Sequence, residues 1–141
     1  MKSSAIFGFL AMLCSQALSQ EFDGTYTIAS AGTSLYLADE AGEIILEDKD
    51  PQSWFFIEAE TDKYAIVNNE TNQYINCNTA ENQLCISSEV AQLFQPDKIS
   101  DGIYTFLDPE SQLLLHRTSD NHLDLSRPSP TNDESFEVTQ I

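Results

Sequence analysis

Basic residues are scarce in this sequence. Of its 141 residues, 6 are Lys or Arg and 23 are Asp or Glu, which gives a formal net charge of −17 at pH 7. Lys and Arg supply most of the affinity of proteins for nucleic acids, and they attract proteins to anionic lipid surfaces. The charge balance therefore excludes nucleic acid as a partner and argues against membrane binding.

Residue types that serve catalysis and metal binding are scarce as well. The two histidines are His116 and His122, and no H-E-x-x-H or Cys/His spacing accompanies them. Glycine-rich phosphate loops and the G-x-S-x-G turn are also missing. We expect no enzymatic activity, no metal and no cofactor. The alternative is a metal cluster at a hairpin turn, formed by His122 with Asp120, Asn121 and Asp124.

Long apolar runs are missing, apart from one near the start of the chain. Lys2 precedes an apolar stretch at residues 5–14, which is half of the roughly 20 residues needed to span a bilayer. The pattern is that of a secretory signal peptide cleaved after Ser19. We predict a signal peptide at residues 1–19 and a secreted, extracellular domain at residues 20–141, whose length is typical of one domain.

Three cysteines are present, and Cys14 lies in the predicted signal peptide. The other two, Cys77 and Cys85, have seven residues between them in a chain expected to reach an oxidising compartment. The spacing is not C-x-x-C, and no histidine lies in the same segment, which argues against a metal or redox pair. We predict one structural disulfide between Cys77 and Cys85.

The apolar positions of the predicted mature chain recur with a period near 40 residues. Within each unit they alternate with polar residues, and turn-forming residues separate them, which indicates four short strands per unit. We predict three repeats at about residues 22–60, 61–100 and 101–141. The corresponding positions are Tyr26, Tyr64 and Tyr104 in strand one; Leu37, Ile75 and Leu115 in strand two; Ile44 and Leu46, Leu84 and Ile86, and Leu123 and Leu125 in strand three; and Trp54, Phe94 and Phe136 in strand four.

The repeats resemble those of the β-trefoil superfamily, and in particular ricin-B-like units, in which a Q-x-W triplet closes each repeat. Gln52 to Trp54 matches that triplet in full, Gln92 to Phe94 matches in part, and the third repeat keeps only an aromatic. The resemblance implies an all-β, pseudo-threefold β-trefoil of about twelve short strands. It also implies that the closing aromatics lie in the core. A sandwich with a similar number of strands is the alternative.

The resemblance also implies where a sugar would bind. Ricin-like trefoils hold sugars with an Asp, an aromatic platform, and an Asn or Gln ahead of the closing aromatic. An Asn-Gln pair is expected before the closing aromatic. Its first residue is missing here, because the three repeats carry Pro51, Ala91 and Asp133 at that position. In the first repeat Asp23 and Tyr36 with Asp39 are expected to converge on a candidate site.

A loop offers a second mode of binding. Arg127, Pro128, Ser129 and Pro130 begin the longest predicted loop, whose two prolines lower the cost of ordering a protruding epitope. Trefoil protease inhibitors act through such loops. The acidic residues of the first repeat would likewise steer a basic partner towards the protein.

The expected function is that of a secreted, monomeric, non-enzymatic binding protein. A small exported domain with a degenerate ligand motif resembles an effector or virulence-type factor that acts on a host or extracellular protein. A carbohydrate-binding lectin and a protease inhibitor are the alternatives. The sequon at Asn69 predicts N-glycosylation there.

The alignment of the repeats makes one further prediction. It places Arg117 and Asp124 of the third repeat at the positions of Cys77 and Cys85 in the second. We therefore expect an opposite-charge pair to face across two strands where the second repeat has its disulfide.

Overall fold

The computed structural model describes residues 22–129 and 131–141, so the predicted signal peptide and Pro130 lie outside the described residues. The described chain is all-β, apart from a 3-10 helix at Asn132–Glu134. No helix in these residues has the length and apolar character needed to cross a membrane. The strands are β1 Tyr26–Ser30, β2 Tyr36–Glu40, β3 Glu43–Glu47, β4 Trp54–Glu60, β5 Lys63–Asn68, β6 Tyr74–Asn76, β7 Ile86–Ser88, β8 Gln95–Ser100, β9 Ile103–Asp108, β10 Leu113–Arg117, β11 Leu123–Ser126 and β12 Phe136–Gln140.

The first and fourth strands of each repeat form a closed barrel. Around it, β1 pairs with β4, β4 with β5, β8 with β9, β9 with β12, and β12 with β1, while a bridge joins β5 to the residue before β8. The tyrosine of strand one therefore faces the closing aromatic of its own repeat in all three repeats. These pairs are Tyr26 with Trp54, Tyr64 with Phe94, and Tyr104 with Phe136.

The second and third strands of each repeat form hairpins that cover one end of the barrel. These hairpins are β2–β3, β6–β7 and β10–β11. Each hairpin also bridges the other two, so the three meet around a pseudo-threefold axis. The bridges join Glu43 to Ile86, Leu84 to Asp124, and Ile45 to His122.

The closing aromatics are central to the core, as the sequence predicts. Trp54 and Phe94 are fully buried and Phe136 is 1% exposed. The indole Nε1–H of Trp54 donates to the carbonyl of Leu37 at 3.0 Å, so its one polar group is satisfied inside the core.

Phe22 fills the barrel at the end away from the hairpins. Its ring stacks on Phe56 with centroids 4.2 Å apart and makes ring contacts with the three first-strand tyrosines. Aromatic rings in such clusters contribute beyond their buried area. Phe22 therefore closes the core at the start of the described chain.

The predicted disulfide between Cys77 and Cys85 is confirmed, but the alignment around it is wrong by one residue. Cys85 points into the core at 3% exposure, whereas Leu84 and Ile86 are 49% and 51% exposed. Side chains alternate along a strand, so a shift of one residue moves every side chain to the other face. The link from Ile75 to Cys85 is longer than the corresponding links in the other two repeats, and this extra length displaced the alignment.

The opposite-charge pair predicted for the third repeat is also wrong. Arg117 lies opposite Leu123, and Asp124 lies opposite His116, whose Nδ1 is 2.7 Å from the Asp124 carboxylate. By strand register, Cys77 and Cys85 correspond to Arg117 and Leu123.

Candidate functional site

The three residues proposed for a sugar site in the first repeat do not converge. The backbone of Asp23 contacts the hydroxyl of Tyr26 before β1 begins, whereas Tyr36 pairs with Ala29 near the end of that strand. Three residues of strand span about 10 Å. The two candidate side chains therefore lie near opposite ends of β1.

Asp39 has a structural role. Its carboxylate is nearly buried and accepts hydrogen bonds from the Gly42 N–H at 3.2 Å, the Thr71 hydroxyl at 3.0 Å and the Ser87 hydroxyl at 2.6 Å. A carboxylate with three protein donors holds neighbouring segments together. Asp39 thus ties its own hairpin to the second repeat.

The predicted protruding loop is exposed at Arg127, Pro128 and Ser129. Arg127 forms an ion pair with Glu81 at 3.3 Å, and the Ser129 N–H donates to the buried Glu134 carboxylate at 2.8 Å. The loop is therefore accessible but anchored at its base.

The three junctions between repeats differ in how the space between them is filled. Each junction is formed by three elements. They are the residue two positions after the buried Leu or Ile of strand two, the residues before the closing aromatic, and the turn after the first strand of the next repeat. At the first of these positions the three repeats carry Asp39, Cys77 and Arg117.

Side chains fill the junction between repeats one and two. Besides the bonds of Asp39, the Gln52 Oε1 accepts from the Asn68 amide at 2.8 Å. The N–H of Asn69 donates to the carbonyl of Ser53 at 2.9 Å. These side-chain and backbone hydrogen bonds fill the space between the two repeats.

The junction between repeats three and one is filled in a different way. The Arg117 guanidinium donates to the Ser30 hydroxyl and to the Asp133 carboxylate, both at 2.9 Å. The N–H of Ala31 donates to the carbonyl of Ser135 at 3.0 Å, in the same manner as Asn69 and Ser53. The cationic Arg117 thus fills this junction, as the anionic Asp39 fills the junction between repeats one and two.

The junction between repeats two and three is open. Cys77 is held in the disulfide, so it makes no bridge of the kind that Asp39 and Arg117 make. At the position of Asn69 and Ala31 the chain has Pro109, which has no N–H to donate to the carbonyl of Leu93. The result is a cleft of about 360 Å³, lined by Asn76, Asn78, Thr79, Ala91, Gln92, Leu93, Asp108, Pro109 and Glu110.

Two of the lining amides are used in holding the cleft wall. Gln92 accepts from the Cys77 N–H at 2.6 Å and donates to the Asn78 carbonyl. The Asn76 amide accepts from the Asn78 N–H at 2.9 Å and donates to the Val90 carbonyl at 3.0 Å. This network fixes the loop after β6, which then presents the exposed side chains of Asn78 and Thr79 to solvent.

The opposite wall of the cleft is acidic. Asp108 is buried and accepts bonds from the backbone N–H groups of Glu110 and Ser111, so it shapes the turn. Glu110 is exposed at the cleft edge. No Lys or Arg is among the lining residues that the structure describes. The cleft therefore presents amide, hydroxyl and carboxylate groups suited to a polar, uncharged or cationic ligand.

A second concavity of about 410 Å³ runs along β8 and β9 between Gln95 and Leu114. It lies on the side of the barrel and not at a junction, and Asp97 is the only charged residue in its described lining. The junction cleft lies where two repeats meet and is bordered by the exposed side chains of Asn78, Thr79 and Glu110, so it is the candidate site.

The histidine cluster proposed from the sequence does not assemble. His122 lies 3.6 Å from Glu43 of the first repeat, while Asp124 is bound to His116. Among the residues that the structure describes, no group of three or more His, Cys, Asp or Glu side chains is placed to hold a metal ion.

The sequence contains a signal for the cleft at Gln92 and Pro109. Gln92 marks the closing triplet, and Pro109 follows the first strand of the next repeat. A proline where the equivalent turns have an N–H donor indicates a missing backbone bond. The signal is only interpretable once the repeats are aligned in space.

Comparison with known proteins supports the fold. No family model matches the chain, and no curated protein matches its sequence. The ricin B-like lectin of Macrolepiota procera, solved with lactose, has a TM-score of 0.75 at 11% identity and covers 88% of this chain and 100% of its own.

Two further solved structures agree. The agglutinin of Rhizoctonia solani has a TM-score of 0.71 at 14% identity, covering 89% of this chain and 99% of its own. The designed threefold-symmetric protein ThreeFoil has a TM-score of 0.73 at 15% identity, covering 84% of this chain and 100% of its own. At these identities the likeness concerns the fold alone. That fold is trefoil-like, and this confirms the resemblance seen in the repeats.

Proposed function

We propose that this protein is a secreted, non-enzymatic carbohydrate-binding protein that holds a glycan in the cleft between its second and third repeats. The observation that carries the proposal is that one of three equivalent junctions is left open, with the exposed side chains of Asn78, Thr79 and Glu110 at its border. The fold is shared with proteins described as a ricin B-like lectin in complex with lactose and as an agglutinin. These neighbours favour a glycan over a host protein as the ligand.

The charge of the cleft sets the class of glycan. Glu110 lies at its edge, and the whole chain carries a net charge of −17. A negative field disfavours an anionic ligand and favours a neutral or amine-bearing one. We therefore expect neutral or amino sugars to bind, and sialylated or sulfated glycans to be rejected.

The absence of an aromatic residue from the described lining sets the expected affinity. Stacking on an aromatic ring is a major source of lectin affinity because the rings bury large apolar areas. Hydrogen bonds to Asn78, Thr79 and Glu110 alone give weak binding, with dissociation constants of order 1 mM for a single sugar.

The experiment is a glycan array, followed by titration of each neutral or amino-sugar hit. Ala91→Arg places a long side chain in the cleft and should weaken binding at least tenfold. Pro51→Arg is the matched control, because Pro51 occupies the equivalent exposed position at the filled junction. A second pair is Glu110→Gln, expected to weaken binding about threefold as one charge-assisted bond is lost, and the equivalent Glu70→Gln, expected to have no effect.

The proposal fails if the array shows no specific glycan, or if Ala91→Arg and Pro51→Arg bind equally well. In that case the effector reading, with an extracellular or host protein as partner, becomes the stronger candidate. Its own support is the exposed loop at Arg127, Pro128 and Ser129, which is also the element that would carry protease inhibition. An inhibition assay against a panel of serine and cysteine proteases separates these two cases.

A further inference from the structure

The strand-three residues that flank the inward positions form a closed ring around the pseudo-threefold axis, in which Glu43, Leu84 and Ile86 are exposed and Asp124 is buried. Successive members of the ring are either cross-strand partners or residues i and i+2 of one strand, so their side chains lie on the same face of the sheet. We call this set the axial ring. In order around the axis, its members are Glu43, Ile45, His122, Asp124, Leu84 and Ile86.

The second repeat makes this ring apolar on one side. The residues that flank the inward position in strand three are Glu43 and Ile45 in the first repeat, and His122 and Asp124 in the third. In the second repeat both flanking positions are apolar and about half exposed. Single exposed apolar side chains are common on protein surfaces, but Leu84 and Ile86 share one face of the hairpin and lie opposite Asp124 and Glu43.

The apolar side also extends beyond the ring. Ile86 lies opposite Asn76, whose amide donates to the carbonyl of Val90 at 3.0 Å, and Val90 is itself 66% exposed. The exposed apolar residues of the second repeat therefore follow one edge of the hairpin.

Acidic groups border this apolar side. Glu43 directly faces Ile86, its side chain is 70% exposed, and its carboxylate lies 3.6 Å from His122 Nε2. Glu89 is exposed next to Val90. No Lys or Arg belongs to the ring, and the chain as a whole has 6 basic residues against 23 acidic ones. An apolar surface with an acidic border complements apolar side chains that are flanked by cations.

We propose that the axial ring is a docking surface for a short peptide segment of a partner protein in which apolar residues alternate with Lys or Arg. Leu84 and Ile86 bury the apolar side chains of the segment, and Glu43 pairs with its cationic groups. None of the six ring residues lines the glycan cleft, so the site goes beyond the carbohydrate-binding function and does not depend on it.

The probe is a synthetic ten-residue peptide of alternating Leu and Lys, titrated into the whole secreted protein. Two comparison peptides replace every Leu by Ser or every Lys by Glu. We expect the Leu/Lys peptide to bind at least tenfold more tightly than either comparison peptide, and to bind less tightly as the salt concentration rises.

Leu84→Ser with Ile86→Ser should weaken binding of the Leu/Lys peptide about tenfold, since each half-exposed side chain contributes about a threefold change. The matched control is Ile57→Ser with Ile99→Ser, which removes two exposed apolar side chains from β4 and β8. Both double variants should keep the melting temperature of the parent protein, because all four residues are exposed.

Three results overturn the proposal. They are no binding of the Leu/Lys peptide, equal binding by the two double variants, and a dimer of the parent protein in sedimentation that becomes a monomer in the Leu84 and Ile86 variant. The last result would make the ring a contact between two copies of this chain. Glycan binding measured on the same variants should be unchanged, so failure here is distinguishable from failure of the cleft proposal.

Discussion

The junctions on either side of the second repeat are built on equivalent strands and end up in opposite states. Between repeats one and two, Asp39 and Gln52 reach across and the N–H of Asn69 completes a backbone bond. Between repeats two and three, a disulfide and Pro109 occupy the corresponding positions, and a cleft of about 360 Å³ remains. Three positions in an otherwise shared frame, occupied by Asp39, Asn68 and Asn69 in one junction and by Cys77, Asp108 and Pro109 in the other, thus distinguish the filled junction from the open one.

The inside of the molecule shows no such divergence. In every repeat the first-strand tyrosine faces the closing aromatic, and the inward residue of the third strand is buried whether it is Ile44, Cys85 or Leu123. Core packing tolerates substitutions that preserve volume and apolar character, whereas surface bridges depend on specific donors and acceptors. Binding sites in this fold can therefore differ among repeats while the frame stays the same.

The largest effect is expected where the repeats agree. Trp54→Ala should destabilise the protein by about 3 to 5 kcal/mol, because it leaves a cavity in the core and removes the bond to the Leu37 carbonyl. Phe94→Ala should cost a similar amount, and a thermal or denaturant melt measures both. A Trp54→Ala protein with an unchanged melting temperature would contradict the shared core.

The next effect concerns the disulfide at the open junction. Cys77→Ala with Cys85→Ala should destabilise the protein by about 2.5 kcal/mol through the loss of a short loop constraint. Because the Gln92 side chain also holds the Cys77 N–H, the cleft wall should loosen but persist. Hydrogen exchange of the amides at residues 77–79 would report this, and global unfolding of the variant would show that the disulfide supports the whole fold.

A smaller effect is expected from transferring that disulfide to the third repeat. Arg117→Cys with Leu123→Cys should oxidise in the folded protein, because these positions face each other as the native cysteines do. The protein should be destabilised by about 1 to 2 kcal/mol, since the constraint only partly offsets the loss of a buried leucine and of the Arg117 bonds to Ser30 and Asp133. Arg117→Cys with Asp124→Cys is the control and should remain reduced by mass spectrometry; oxidation of the control instead would refute the register.

A smaller effect still should follow from restoring the missing backbone donor. Pro109→Ala gives the open junction an N–H equivalent to that of Asn69 or Ala31, and a bond to the Leu93 carbonyl contributes about 1 kcal/mol, which the added freedom of the unfolded chain nearly cancels. The melting temperature should hardly move, while the amide at 109 becomes protected from exchange and glycan affinity falls. If the amide becomes protected but glycan affinity is unchanged, the missing backbone bond is not what opens the binding site.

The smallest effect concerns the filled junction, where Asn69 is exposed in the turn after β5. Protein secreted from a eukaryotic host should lose mass on treatment with an N-glycosidase, and Asn69→Gln should abolish that loss with little change in stability.

N-terminal sequencing of the same material tests cleavage after Ser19. Retention in the cell or an intact Met1 would contradict the predicted signal peptide.

The sequence by itself determined the fold and the disulfide. A period near 40 residues, alternation within each unit and three closing aromatics predict twelve strands in three repeats, because burial requires apolar residues at regular spacing. Two cysteines that follow a predicted signal peptide indicate their disulfide. These features are local or periodic, and both survive in the structure.

Only the tertiary structure decided the register, the cleft and the axial ring. The sequence alone matches Leu84 and Ile86 with the inward Ile44 and Leu46, because apolar character does not show which face of a strand is inward. Arg117 reaches Ser30, 87 positions earlier in the chain, and Leu84 bridges Asp124, and no sequence period encodes such contacts between repeats. The sites arise where repeats meet, because there the side chains of distant segments determine which groups are satisfied and which remain open to a ligand.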